Sequence, residues 1–483
     1  MKSIKDITGL KNIRESFKTR QVKYGGYAVL LTLAVIVGLL LLNLMLGQFS
    51  PQVDMTSSRL FSLSEQTLQV LDTVKTPVRF FGLWKPGEEA QEIRTVINLC
   101  LSRNSNISLE LVDPDKNPGF VARYDREKKG IPRGSLIVDG EKGFRVIGPY
   151  DMYDITQSQS GPSVTGIAVE RRITNALLFV GSGVTPVVYE ITGHNEIPLS
   201  NLKMQEVVER ENYTLKPLNL LMSDVPSDAS ALILNFPRKD LFPAEVEKLL
   251  NYLEKGGRFL VLADYNIGEV SNLNEVLASY GLQFDFGIVF ESDLRYYFQD
   301  PRNLLPDAAD HEITRPLADK TKTPVVLVQA MPLSLLDARR RTIEVTPLLA
   351  TSEKAFLRTN LDETSANKMP SDISGPLFMG AAVKDPSWIQ GNDPQARIVA
   401  IGCANLLPLV LGGIESNRDL FMNSFAWLQE KPENISIRSK SLTILPMRLN
   451  TVQVIIFGAL FIFIIPVAFF VTGFVIWLKR RHL

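Results

Sequence analysis

Two uncharged apolar runs, one near each end, constrain this chain more than any other feature. The first extends from Tyr27 to Leu46, after a tail carrying Lys2, Lys5, Lys11, Arg14, Lys18, Arg20 and Lys23. The second extends from Val454 to Leu478 and is followed at once by Lys479, Arg480 and Arg481. A helix needs about 20 apolar residues, at ~1.5 Å rise each, to cross a bilayer core. Transmembrane helices are therefore predicted at 27–46 and 452–478. Basic flanks stay on the cytoplasmic side. That rule predicts a cytoplasmic tail at 1–26, both termini cytoplasmic and the main domains extracytoplasmic. The first run exceeds the ~7–15 residues of a signal-peptide h-region. It ends in Met45-Leu46-Gly47-Gln48-Phe49, with no small-x-small cleavage pattern, so it reads as an uncleaved anchor. In the second run Gly458, Ala459, Ala468 and Gly473 offer small residues where a partner helix can approach closely.

Charge then limits what the intervening portion can bind. Of 52 Lys+Arg and 52 Asp+Glu, the tails hold ten basic and two acidic residues, leaving 42 against 50 between the runs. An excess of about eight acidic charges argues against nucleic acid as a partner. The two cysteines, Cys100 and Cys403, sit in apolar contexts and are expected as buried thiols in separate domains. No C-x-x-C occurs, so neither a zinc pair nor a redox pair is present.

The pattern along the chain predicts an α/β protein with two domains. Ser64 precedes a run with apolar positions at Leu68 and Leu71, an N-capped short helix. Strand-like 78–84, helical 89–101 and strand-like 107–112 follow, then a hairpin of 135–138 and 144–147 around Asp139-Gly140-Glu141-Lys142-Gly143. This order suggests a small thioredoxin-like domain at 50–155, lacking that fold's catalytic cysteines. The Ser/Gln/Gly-rich stretch 154–166 reads as a boundary. Beyond it, strands at 186–192, 231–236 and 259–263 alternate with helices at 204–211, 243–254 and 272–280. Such alternation predicts a parallel, doubly wound sheet in a second domain at 166–435. Strands at 325–329, 377–383 and 397–401 are expected to complete it, with 418–428 as the last helix and the polar stretch 361–370 as a mobile loop.

Candidate chemistry is sparse. There is no G-x-x-x-x-G-K-[ST] phosphate loop, which excludes ATP hydrolysis by that route, and no G-x-S-x-G nucleophile elbow. The most pointed cluster is Thr192-Gly193-His194-Asn195-Glu196, directly after a predicted strand, where the ligand crevice of such sheets lies. Asp264 and Asn405 also follow predicted strands and would face the same crevice. His194, Asn195, Glu196, Asp264 and Asn405 are therefore the candidate ligand-binding residues, without a catalytic or metal assignment. A zinc site from His194, Glu196, His311 and Glu312 is the alternative chemistry, and a strand-end turn that satisfies backbone groups is the plain one. Glu170-Arg171-Arg172 reads as a solvated helix face.

Taken together, several short motifs resemble one family. They are Asp54-Met55-Thr56, Leu60 to Thr67, Val112-Asp113-Pro114-Asp115, Ile173-Thr174-Asn175-Ala176-Leu177, Gly193-His194-Asn195-Glu196, Tyr252 to Gly257 and Asn423 to Leu428, in that order. The chain resembles the auxiliary-component family of ABC-type transport systems, of which the gliding-motility protein GldG is the best-known type. The family pattern has Gly-His-Gly-Glu where this chain carries Asn195. The resemblance implies a non-catalytic extracytoplasmic subunit without a cofactor, in a bacterial inner membrane with its main domains periplasmic, partnered by separate ABC permease and ATPase subunits. It implies that the second domain is GldG/intraflagellar-transport-like, related to flavodoxin-like and class I glutamine-amidotransferase-like sheets. A periplasmic hydrolase or amidase, or a ligand-binding sensor, is the alternative function.

Overall fold

Local capping and turn signals set the first elements, and long-range pairing sets the rest. The computed structural model describes residues 20–48, 62–430, 440–441 and 457–481, apart from 127, 159–160, 202–203, 264, 269, 321–323, 338–339, 364, 387–394, 404 and 412–413. Asp54-Met55-Thr56, Leu60-Phe61 and Asp264 lie outside the described residues. The chain divides into two units, Met1–Ser57 and Ser58–Leu483. The first contributes helix α1 (Arg20–Gln48), whose apolar stretch Val29–Met45 is shorter than a full span. In the second, Phe457–Lys479 is the one helix among the described residues long and apolar enough to cross a membrane. Its π-helical turn Leu460–Ile464 lies just before Pro466. A proline has no N–H to return to the carbonyl four residues back, and a wider turn accommodates that loss.

Ser64 caps α2 (Glu65–Thr73), its hydroxyl accepting from Thr67 N at 3.3 Å. A four-stranded sheet follows, built from β1 (Val78–Gly82), β2 (Ile107–Leu111), β3 (Leu136–Gly140) and β4 (Gly143–Ile147) in the order β2-β1-β3-β4. β1 and β2 are parallel and the other pairs antiparallel. Gly140 pairs with Gly143, so Glu141-Lys142 forms the predicted tight turn. α3 (Gln91–Arg103) and α2 cover one face, and α4 (Pro118–Tyr124) covers the other with Phe120 and Tyr124 on Phe81. A ribbon of β5 (Tyr153–Ser158) and β6 (Gly161–Ile167) leads to α5 (Val169–Ser182). Ile173, Leu177 and Val180 of α5 share a core with Phe80, Ile97, Cys100 and Val138. The sequence places this helix beyond the domain boundary; its apolar stripe packs on the first sheet.

The large sheet begins with β7 (Val187–Ile191), β8 (Thr214–Leu218), β9 (Ala229–Asn235) and β10 (Arg258–Leu262). These and the strand Ala396–Ile401 are parallel, in the order β8-β7-β9-β10-(396–401). Phe378–Asp385 joins antiparallel to 396–401 and extends the sheet toward Leu333–Leu335 and Leu282–Phe284. Both faces are apolar. Val188, Ile233, Leu260 and Val399 face one core; Ile191, Leu232, Val261 and Ile398 face the other. Alternate residues of one strand thus serve opposite layers, as a doubly covered parallel sheet requires. α6 (Met204–Arg210) and the helix Glu415–Leu428 lie on the first face; α7 (Pro243–Glu254) and the helix Ser271–Ala278 lie on the second.

Two expectations are corrected. The segment 325–329 does not join the large sheet: Leu327–Val328 pairs with Asp300–Leu304 in a separate three-stranded sheet. Asn417 holds it there, accepting from Val326 N at 3.0 Å and donating to Val326 O at 2.8 Å. The polar stretch 361–370 is tied down at several points. The buried Arg358 guanidinium donates to Ser365 O, to Asn367 O at 2.7 Å and to Asp372 Oδ2 at 2.8 Å. Cys100 and Cys403 are fully buried thiols, one in the core of each sheet.

Candidate functional site

In the parallel part of the large sheet the chain runs from β7 outward to β8, then returns to β9 on the other side of β7. The order reverses between β7 and β9, and a ligand crevice is expected outside the carboxyl ends of those two strands. The segment 192–196 leaves β7 at that point, and 236–242 leaves β9. Gly193 has φ +126° and Asn195 φ +59°, so two turn positions near the strand end lie in the left-handed region. Glycine adopts that region freely, and asparagine is among the few other residues that tolerate it. A residue with φ near +60° explains why Asn195 can stand where the family pattern has glycine.

This turn folds the candidate residues onto one another. His194 is fully buried. Its Nδ1 lies 2.7 Å from Glu196 Oε1, and its Nε2 lies 2.7 Å from Glu245 Oε2. Glu196 also accepts from His194 N at 2.9 Å and from Gly193 N at 3.1 Å. Glu245 sits in the first turn of α7, where Oε2 accepts from Phe242 N at 2.9 Å. The carbonyl of His194 accepts from Arg238 N at 2.8 Å and Lys239 N at 3.1 Å, which ties the β7 and β9 loops together. Burial opposes a charged ring, but the hydrogen bonds to Glu196 and Glu245 outweigh it and raise the His194 pKa. Burial likewise opposes the Glu196 carboxylate, and its bonds to His194 and the turn's N–H groups lower its pKa on balance. An imidazolium donating from both nitrogens to two carboxylates is the consistent state.

Both ring nitrogens are therefore committed, leaving His194 no lone pair for a metal or a substrate proton. Asn405 and His311 make their contacts elsewhere. Asn405 Nδ2 donates to Val328 O at 3.4 Å, bracing the small sheet. His311 stands apart, its Nδ1 accepting from Ile313 N at 3.2 Å and its ring 5.2 Å from that of Trp427. Among the described residues no group of three or more His, Cys, Asp or Glu is arranged to hold a metal ion. The residue that sequence reasoning missed is Glu245. Pro243 at the first helical position and glutamate two residues on mark a helix start. Nothing in that local pattern pairs it with a histidine 51 residues earlier.

Glu170-Arg171-Arg172 is the second departure, since this segment is not a solvated face. Glu170 and Arg171 are buried. Glu170 Oε1 accepts from Ser64 N at 2.6 Å and from Thr67 Oγ1 at 2.7 Å, and Thr67 Oγ1 lies 3.0 Å from Thr174 Oγ1. Two of the quoted motifs thus meet in space, at the junction of α2 and α5. Arg171 pairs with Asp154 at 3.0 Å and approaches Glu211 at 3.5 Å, while Arg418 also reaches Asp154 at 3.5 Å. This network joins the helix of the first sheet to the helices of the second.

Comparison with known proteins bears on residues 185–386, which match the family described as ABC-type uncharacterized transport system. This segment is similar to that auxiliary ABC-transport family. It spans β7 to the Phe378–Asp385 strand and contains the His194 turn. No curated protein matches the chain. Among solved structures, the mmIFT52 N-terminal domain aligns at 19% identity and TM-score 0.37, covering 50% of this chain and 97% of that one. A ThuA-like protein from Bacteroides uniformis ATCC 8492 aligns at 13% identity and TM-score 0.30, covering 50% and 90%. The exo-beta-1,4-mannosidase Op5Man5 from Opitutaceae bacterium strain TAV5 aligns at 9% identity and TM-score 0.27, covering 72% and 49%. Likenesses this distant transfer no activity to this chain.

Proposed function

We propose that this chain is a non-catalytic, extracytoplasmic auxiliary subunit of an ABC-type transporter in a bacterial inner membrane, of the export or GldG-like motility type. In this reading α1 and the helix Phe457–Lys479 both cross the membrane, both termini are cytoplasmic, and the two sheets form a thioredoxin-like and a flavodoxin-like domain. Permease and ATPase subunits are its partners. The observation that carries the proposal is the occupied switch point. Where a doubly wound enzyme keeps an open crevice, this chain places its own His194 between Glu196 and Glu245. A crevice filled by a charge-assisted lock rigidifies a scaffold instead of receiving a substrate. A hydrolase built on His194 would need one ring nitrogen open to substrate, and each already faces a carboxylate.

The test is isolation of the full chain from its native membrane in mild detergent. A permease and an ATPase should co-purify in fixed proportion. Recovery of the chain alone, as a homodimer that survives dilution, overturns the assignment.

A further inference from the structure

β4 of the first sheet and α5 face α6 and the start of β8 across a cleft of about 620 Å³. Small-molecule sites span about 300–1,000 Å³ and favour junctions between substructures. Buried Ile147, Ala176 and Tyr213 supply its apolar lining. Two guanidinium groups converge on the turn that joins α6 to β8. Arg172 Nη1 donates to Arg210 O at 3.3 Å and to Glu211 Oε1 at 3.2 Å. Arg145 Nε donates to Asn212 Oδ1 at 3.3 Å, and its Nη2 to Thr185 Oγ1 at 3.2 Å. The turn itself is fixed. Asn212 sits at φ +65° and donates from Nδ2 to Asn175 O, while Asn175 Nδ2 donates to Glu211 Oε2 at 2.6 Å.

Arg172 is the informative member. Its side chain is only 10% exposed, and its Nε donates to Asp151 O at 3.2 Å. Among the described residues none accepts from its Nη2, yet that nitrogen is not sealed from solvent, so it opens on the cleft it lines. Burial and the neighbouring Arg171, Arg210 and Arg418 pull its pKa down to about 10, with Glu211 acting the other way. An anion brought to the open nitrogen would offset that repulsion. Negative charge stands farther out. Glu206 and Glu209, three residues apart on one face of α6, also line the cleft and are exposed. Glu209 Oε1 accepts from the neutral Gln205 Nε2 at 2.8 Å, and Glu206 lies 3.8 Å from Arg210, which is nearer to Asp151 at 3.0 Å. Buried guanidinium with exposed carboxylates suits a molecule carrying both signs of charge. A dianion would be repelled by Glu206 and Glu209, and a simple amine would be repelled by Arg172 and Arg145.

We propose that this cleft binds a small zwitterion, an amino acid or a short peptide with free ends. Arg172 and Arg145 hold its carboxylate, and Glu206 with Glu209 receives its ammonium group.

The experiment titrates the full chain calorimetrically, in neutral detergent and a buffer free of amines and carboxylates. The probes are alanine, trialanine, N-acetyl-trialanine and trialanine amide. Saturable binding of alanine or trialanine is expected, and blocking either end of trialanine should weaken it about tenfold or more. Tighter binding of trialanine assigns a peptide; equal or weaker binding assigns a free amino acid. Glu206→Gln with Glu209→Gln, on an exposed helix face, should leave the circular dichroism spectrum unchanged. It should weaken the open-ended probe about tenfold or more and leave N-acetyl-trialanine unaffected. Arg145→Gln should weaken every probe that carries a free carboxylate. The assay needs no transporter partner, so its outcome is separate from that of the co-purification test. Absence of saturation with both alanine and trialanine, equal binding of open and blocked forms, or undiminished binding by the Glu206→Gln/Glu209→Gln variant overturns the proposal.

Discussion

His194 shows how a buried ion triad makes stability depend on pH. Its pKa is raised in the folded chain, so its contribution is complete below the ~6.5 of an unfolded histidine and disappears as pH rises through the folded value. Glu196 has the opposite sign: its contribution is complete above the ~4.3 of an unfolded glutamate and is lost as pH falls through its lowered folded value. The melting temperature should therefore be highest between those two limits and decline on the alkaline side. His194→Gln should flatten the alkaline decline, and a variant that keeps the wild-type slope would exclude the triad as its source. Next to it, Asn195 at φ +59° sets a backbone test. Asn195→Gly should be nearly neutral, whereas Asn195→Val should cost about 1–3 kcal/mol in denaturant unfolding, because a β-branched residue is strained in that region.

At the scale of elements, α2 and α5 meet through a single carboxylate. Glu170→Ala leaves the Ser64 N–H and the Thr67 hydroxyl without their acceptor, which should cost about 1–3 kcal/mol. Glu170→Gln retains an oxygen and should cost less; equal losses would mean that the charge, not the acceptor, matters. The same junction marks how far the sequence could be read. The Ser64 cap and the Glu141-Lys142 turn were legible because cap and turn chemistry act within a few residues. Strand alternation after β7 was legible because each strand carries its own apolar signature. The burial of Glu170 and Arg171 was not, since a charged helix opening looks the same in water or beneath a neighbouring helix. The strand at 327–328 was misplaced for a related reason: apolar alternation identifies a strand but not its sheet. The site was legible in part. Gly193-His194-Asn195-Glu196 stood at the right strand end, but its partner Glu245 is reached only through tertiary folding.

Across the whole molecule, the ionic network of Arg171, Asp154, Glu211 and Arg418 couples the two sheets. Asp154→Ala leaves two buried guanidinium groups without their shared carboxylate, and breaking a buried pair in this way typically costs ~3–5 kcal/mol. We expect the variant to replace one cooperative unfolding transition by two, resolved by calorimetry; a single transition at the wild-type temperature would show that the sheets are joined by other contacts. The C-terminal helix supplies a separate prediction. Gly458 and Gly473 have nothing within 4 Å of where a Cβ would lie, so leucine fits at both without disturbing the chain's own fold. Gly458→Leu with Gly473→Leu should weaken recovery of transporter partners while leaving the far-ultraviolet spectrum intact. Normal co-purification of that variant would move the docking surface elsewhere.

The two thiols give the molecule a built-in clock. Cys100 lies in the core of the first sheet and Cys403 in that of the second, each with no accessible surface. An alkylating reagent can reach either sulfur only when its own core opens. The rate at which each cysteine is modified, followed by peptide mass analysis in the unaltered chain, therefore times the opening of the two sheets separately. Matching rates would mean that the sheets breathe as one body; differing rates would rank them, without a label, a mutation or a denaturant.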